Sequence, residues 1–391
     1  MTNRADITYF GAGPALLPTD VLENASQALL NYNNTGLGIA EHSHRSQLAA
    51  NIINEAKADL TSYLDIPDDY EVLFMQGGGS AAKEEDADQA KLVAELSKAV
   101  DSELKLDYLV TGGWSLKASQ EAGRLLGAEH VNIAADARTI NDGKFGKIPE
   151  ESAWKLSKDA AFVYYCDNET VDGVEFPKFP ESLAPRDDGT GPIVVADMSS
   201  NILSRKFPKN LGSTGITVVI IKKSLLPPNC PQPSPSLMRK LGLPIPPVIL
   251  TYETVAKNNS LYNTLSIFDV YIAGQVLKKL LKTFPDKANG QEALANKKAN
   301  LIYDALEAHP DIYRIVPDKS VRSRMNICFR INKDGETEQT EAEFLKQGTA
   351  IGLTGLKGHR SVGGIRASNY NSIPLAGAER LAKFLQDFAK L

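Results

Sequence analysis

Cysteine is scarce in this chain: three in 391 residues, Cys166, Cys230 and Cys328, widely spaced and with no Cys-x-x-Cys pair. An odd number at such spacing excludes a disulfide framework and the usual zinc spacings, and it points to reduced thiols in a cytosolic protein. Long hydrophobic runs are lacking as well. The longest, such as ITVVII (216–221), have the length of a strand and fall far short of the roughly 20 residues that cross a bilayer as a helix. The first ten residues, MTNRADITYF, carry charges at Arg4 and Asp6 and no apolar stretch, so no secretory leader is expected. Positive charge is not in excess. Lys and Arg number 43 against 48 Asp and Glu, for a formal net charge of −5 and a pI of about 5.7, which is not the balance of a nucleic-acid binder. Histidine is rare too, and two of the five stand directly before an arginine.

What is present is alternation of two periodicities. A chain of 42.4 kDa buries a sizeable core and suits two domains. Helical patterns are expected from Thr19-Asp20, taken as a cap, to about Tyr32, over 47–64 and over about 115–127. Strands are expected at EVLFMQ (71–76), DYLVT (107–111), AFVYYC (161–166), PIVVAD (192–197) and ITVVII (216–221). Strands alternating with helices imply an α/β domain with a mostly parallel, buried sheet. Proline-rich sequence from Pro227 to Pro247 reads as a long connection. Beyond it, helices near 265–284, 288–308, 340–350 and 375–390, with strands near 312–316 and 325–331, suggest a smaller α+β domain. The expected division is an arm (1–18), a large domain (19–260) and a small domain (261–391).

The chemistry is concentrated in a few motifs. His44-Arg45 lies near the front. His359-Arg360 lies near the back in KGHRSVGGIRAS (357–368), where Arg366 follows. Arginine presents a planar donor fork matched to carboxylate and phosphate, and imidazole adds a further donor. Together these five residues suit a small ligand with two anionic groups, although a single arginine is more often part of a surface ion pair. Gly77-Gly78-Gly79-Ser80 after a strand suits an anion cradle, or a plain tight turn. Trp114 after a strand suits stacking on a planar ring, or burial in a core. Thr170 and Asp197 follow strands, where parallel sheets line their ligand crevices. Lys209, in KNLGSTG, sits among small residues in a setting that suits an imine-forming lysine. A solvated surface lysine is the ordinary alternative.

Eight segments carry a resemblance: FGAGPALLP (10–18), GLGIAEHSHRS (36–46), QGGGS (76–80), CDNETVDGVEF (166–176), ADMSSNILSR (196–205), KNLGSTG (209–215), NNSLYNT (258–264) and TGLKGHRSVGGIRASNYN (354–371). Together they resemble the phosphoserine aminotransferase family, with the character of a fungal member, and KGHRSVGGIRAS is the most specific of them. The resemblance implies a fold-type I pyridoxal 5'-phosphate enzyme, a cytoplasmic homodimer with a shared active site. Its large domain would bind the cofactor, and its N-terminal arm would pack with the small domain. It implies transfer of the amino group of glutamate to 3-phosphohydroxypyruvate in serine biosynthesis, with no nucleic-acid or membrane partner. By motif, Lys209 is implied as the covalent lysine and proton shuttle, and Asp197 as the partner of the ring nitrogen. Trp114 would stack on the ring and Thr170 would meet its hydroxyl oxygen. Gly79 and Ser80 would hold the cofactor phosphate, reached also by Asn263 and Thr264 of the neighbouring subunit. His44, Arg45, His359, Arg360 and Arg366 would clamp the substrate. No metal ligand is implied.

Two departures stand out. The family places its lysine after a further strand and a Gly-Ala-Gln-like turn, whereas here only 198–208 separates Asp197 from Lys209, and Pro208 stands where the family has a glutamine. After Ser80 the chain reads AAKEEDADQAKLVAEL in place of a phenylalanine-containing turn and an apolar helix. Both breaks are abrupt between good matches, as two missing internal segments would be. The alternative reading is therefore an impaired or inactive variant of the fold. Another fold-type I enzyme, such as a small-amino-acid transaminase or a desulfurase, fits less well. The desulfurase reading lacks a catalytic cysteine, and both His-Arg pairs suit a phosphorylated substrate.

Overall fold

The structure is a computed structural model that describes residues 3–13, 15–75, 90–184, 191–205, 212–213, 216–230, 232–332, 335 and 337–390. The chain opens with β1 (Thr8–Tyr9), α1 (Thr19–Leu30), α2 (Gln47–Leu64), β2 (Tyr70–Met75) and α3 (Ala90–Glu103). Next come β3 (Leu106–Val110), α4 (Gly113–Leu126), β4 (Val131–Asp136), β5 (Phe162–Cys166), β6 (Asn168–Glu169), β7 (Val174–Glu175) and β8 (Val194–Asp197). There follow β9 (Gly212–Ser213), β10 (Ile216–Lys222), α5 (Pro235–Lys240), α6 (Tyr252–Lys257) and α7 (Ile267–Thr283). The last elements are α8 (Ala288–Glu307), β11 (Tyr313–Ile315), β12 (Asn326–Ile331), α9 (Thr337–Ala350), β13 (Leu353–Thr354), β14 (Ile365–Ser368) and α10 (Leu375–Ala389).

The chain groups into two compact units. One holds Met1–Leu16, Leu104–Arg205 and Gln291–Leu391, the other Leu17–Glu103 and Lys206–Gly290. The boundary read from sequence near 260 lies inside the second unit.

In the first unit a four-stranded sheet runs β4-β3-β5-β8, every pair parallel. β3, inside the sheet, is buried along its whole length, as an inner parallel strand is. Leu109, Val163 and Tyr165 pack with Phe176 and Leu183, while Leu106, Tyr108 and Val110 pack with Ala122. That alternation along β3 is the two-residue period of a strand. β8 stands at the end of the order, and among the described residues no strand pairs with its free side. Ile193 and Val195 there are 44% and 41% exposed, unusual for apolar residues in and beside a parallel strand. A second sheet, β11-β12-β14, is antiparallel and packs on Phe344, Leu381, Phe384 and Phe388. β1 pairs parallel with β13, through Thr8↔Leu353 and Tyr9↔Thr354.

Behind this sheet lies Lys298, fully buried. Its Nζ donates to the carbonyls of Tyr370 (2.7 Å), Ile373 (2.9 Å) and Asn369 (3.4 Å), so it ties α8 to the turn that follows Arg366. Replacing Lys298 by Met leaves the Asn369 and Ile373 carbonyls without that donor, while the Tyr370 carbonyl still accepts from Ile373 N at 3.0 Å, at roughly 1–3 kcal/mol for each buried group. The expected loss is about 3 kcal/mol in urea unfolding. An unchanged unfolding midpoint would show that the turn does not depend on the lysine.

In the second unit β10 lies between β2 and β9, antiparallel to both. This corrects the expectation that EVLFM and ITVVII join the parallel sheet: strand periodicity carries no information about pairing partner. α2 forms as its sequence demands. The Ser46 side chain accepts from Ala49 N at 3.2 Å, and Ala49, Ile52, Ile53, Ala56, Leu60 and Tyr63 make its buried stripe. The expected Thr19-Asp20 cap is not formed. Pro18 occupies the cap position of α1 with no side-chain cap bond, and Thr19 and Asp20 lie in the first turn, since proline pre-sets the backbone for helix entry. The proline-rich connection contains α5, capped by Ser234 through Leu237 N at 3.2 Å.

Candidate active site

The first unit places several predicted residues at the carboxyl ends of its parallel strands. β3 runs through Thr111-Gly112 into α4, whose second residue is Trp114. The indole is 43% exposed, which removes the buried-core reading, and Lys117 Nζ lies 4.3 Å from its ring centroid. β5 leads through Asp167 and β6 to Thr170, whose carbonyl accepts from Arg366 Nη1 at 3.4 Å.

β8 ends at Asp197, opposite Cys166 of β5. One oxygen of the Asp197 carboxylate, Oδ1, accepts from Ser199 N (3.0 Å) and Ser199 Oγ (2.6 Å), and Oδ2 accepts from Tyr164 Oη (3.1 Å). Three donors thus fix the carboxylate where the sheet meets solvent. Burial, and then the charge of Asp197, push the Tyr164 hydroxyl well above its ordinary pKa, so it stays a donor.

Arg366 lies on β14. Its Nε is buried and has no hydrogen-bond partner among the described residues. His359 Nδ1 lies 2.6 Å from Ser361 Oγ. Burial first, then the positive charges of Arg366, Lys117 and Arg360, lower the His359 pKa. Four cationic or potentially cationic side chains are therefore gathered here, and an approaching anion would reverse that repulsion.

The remaining predicted residues belong to the second unit. His44, half-buried, and Arg45, exposed, form the turn before α2, with Arg45 N donating to Ser43 Oγ at 3.2 Å. Asn263 and Thr264 stand just before α7, with the Asn263 carbonyl accepting from Leu265 N at 3.0 Å. Gly79, Ser80 and Lys209 lie outside the described residues.

Sequence reasoning missed Tyr164, Ser199, Lys117 and Glu169. Ser199 had a signal, since a serine two residues after an aspartate favours a local turn. Tyr164 becomes visible only once β5 is aligned with β8, because it is the diagonal neighbour of Asp197.

The chain matches the aminotransferase class-V family over residues 7–381. It is 42% identical to the phosphoserine aminotransferase of Saccharomyces cerevisiae over 406 aligned positions, covering 99% of this chain and 98% of that protein. The crystallised phosphoserine aminotransferase of Bacillus circulans subsp. alkalophilus superposes with a TM-score of 0.79 at 36% identity, covering 97% of this chain and 98% of that one. The pyridoxal-phosphate-bound phosphoserine aminotransferase of Trichomonas vaginalis does so with a TM-score of 0.76 at 31% identity, covering 97% and 99%. The chain belongs to the class-V aminotransferases, in the phosphoserine aminotransferase family.

Proposed function

We propose that this protein transfers the amino group of L-glutamate to 3-phosphohydroxypyruvate, giving O-phospho-L-serine and 2-oxoglutarate, as a step of serine biosynthesis. The observation that carries the reading is the gathering of His359, Arg360, Arg366 and Lys117, with a buried unpartnered guanidinium nitrogen. Such a site calls for an anionic ligand. We further propose a cytoplasmic homodimer in which 19–260 forms the cofactor domain and 261–391 the small domain, with the 1–18 arm packed on the latter.

The residues present fit pyridoxal 5'-phosphate: a carboxylate fixed by three donors, a half-exposed indole and a threonine stand at adjoining strand ends. When bound, the cofactor supplies an electron sink for charge developing on the substrate α carbon. Asp197 would hold the proton on the ring nitrogen, Trp114 would cover one ring face, and Thr170 would meet the ring hydroxyl. Gly79 and Ser80 would bind the cofactor phosphate, with Asn263 and Thr264 reaching it from a partner subunit. Lys209 Nζ would take the α proton. Arg366, His359 and Arg360, with His44 and Arg45, would clamp the substrate's anionic groups.

Replacing Arg366 by Ala removes a charge-assisted contact of about 1.5–3 kcal/mol. The expected result is a kcat/KM for 3-phosphohydroxypyruvate lower by about tenfold or more; unchanged kinetics would remove Arg366 from the clamp. Lys209 is tested separately. Borohydride treatment of the protein with added cofactor is expected to fix the cofactor's mass on the Lys209 peptide. Attachment to a different lysine would overturn that assignment.

A further inference from the structure

The backbone N–H groups that open α4 are not left to water. Trp114 N donates to Glu169 Oε2 at 2.8 Å, Ser115 N to Glu169 Oε1 at 2.9 Å, and Gly113 N to Asp172 Oδ2 at 2.8 Å. Both acids are buried, and both come from the turn that carries Thr170. Helix N-termini are ordinarily capped by a side chain just ahead of them. Here the acceptors arrive from more than fifty residues further along the chain. Glycine at 112 makes the approach feasible, because a Cβ there would lie 2.4 Å from Glu169 Cγ and Cδ.

The geometry points to Glu169 as a positioning residue for the reaction, a strap that fixes the Trp114 ring plane relative to Thr170. This rests on the proposed role of Trp114 and Thr170 at the cofactor, and it adds a residue that touches neither cofactor nor substrate. Its two oxygens hold consecutive N–H groups of α4, one of them that of Trp114. The next residue in the chain, Thr170, receives Arg366 through its carbonyl. Ring face, ring edge and substrate clamp are thereby linked through one carboxylate.

The strap works as the carboxylate, since a protonated carboxyl presents a donor where an N–H already points. Burial pushes the Glu169 pKa up to about 7, while the Ser115 side chain, and then the N–H groups of Ser115 and Trp114, oppose that rise. The neighbouring acid Asp172 contributes repulsion, and Tyr164 and Cys166 of β5 are the titratable groups facing it from the sheet. The link is thus strongest above neutral pH and loosens as pH falls through 7.

The test uses tryptophan fluorescence, because the chain has two tryptophans and Trp154 can be replaced by Phe. In cofactor-free Trp154→Phe protein, Trp114 anisotropy is expected to fall as pH drops through about 7. The added Glu169→Gln change is expected to fix it at the low-pH value at all pH. Cofactor affinity should also fall about tenfold in Glu169→Gln, as for loss of one charged hydrogen bond. If Trp154→Phe does not fold, the same comparison is made in the two-tryptophan chain. There Trp154, bonded to the Pro149 carbonyl at 2.9 Å, gives a common background. Anisotropy that ignores pH and is equal in both proteins would overturn the proposal. Failure of both proteins to bind cofactor, with the anisotropy difference intact, would count against the functional reading and leave the strap standing.

Discussion

Inserting a family-like strand and Gly-Ala-Gln turn before Lys209, with a family-like segment after Ser80, is expected to raise cofactor affinity and transaminase rate by about a hundredfold or more. The reason lies in β8. A strand inside a parallel sheet is buried on both faces and paired on both edges, yet β8 pairs with β5 alone among the described residues, and Ile193 and Val195 are each about two-fifths exposed. A large apolar side chain without its partners forfeits a few kcal/mol, against a total stability of about 5–15 kcal/mol. About 2.8 kcal/mol at the cofactor site already amounts to a hundredfold. Equal affinity and rate with and without the insertion would show that the short connection 198–208 holds Lys209 in place unaided.

Replacing Asp197 by Ala in the strand-restored protein is expected to lower kcat by at least about a hundredfold and to weaken cofactor binding. The substitution removes the proposed partner of the ring nitrogen and strands three donors, Ser199 N, Ser199 Oγ and Tyr164 Oη, that now converge on the carboxylate. Those donors hold it against rotation, so the site is organised before any ligand arrives. Tyr164→Phe removes one of the three and should cost far less, about tenfold at most. Stopped-flow kinetics with glutamate alone would separate the two variants. Equal losses would mean that Asp197 acts through packing and not through its charge.

Much of the fold was legible because it rests on local rules. α2 follows the expected 47–64 span, since the Ser46 cap and the apolar stripe are local signals. The parallel strands β3, β5 and β8 were marked by short apolar runs between helical stretches. Pairing was not legible: ITVVII looks the same whether it joins a parallel sheet or, as here, pairs antiparallel with β2. The α1 cap was misplaced because Pro18 enters the helix without a side-chain acceptor.

The site divides along the same line. Arg366, His359 and Asp197 were marked by motif and by position after a strand. Tyr164, Lys117 and Glu169 look ordinary in sequence. Their roles arise only when β5 lies beside β8, or when Glu169 reaches back to α4 across more than fifty residues.

The most direct test incubates the purified, cofactor-loaded protein with glutamate and either 3-phosphohydroxypyruvate or hydroxypyruvate, and quantifies the amino-acid products by mass spectrometry. Formation of O-phospho-L-serine, at a rate well above that of serine from hydroxypyruvate, is the predicted result, in the chain as it stands and more strongly in the strand-restored protein. Equal use of the two keto acids, or no amino transfer by either protein, would contradict the account.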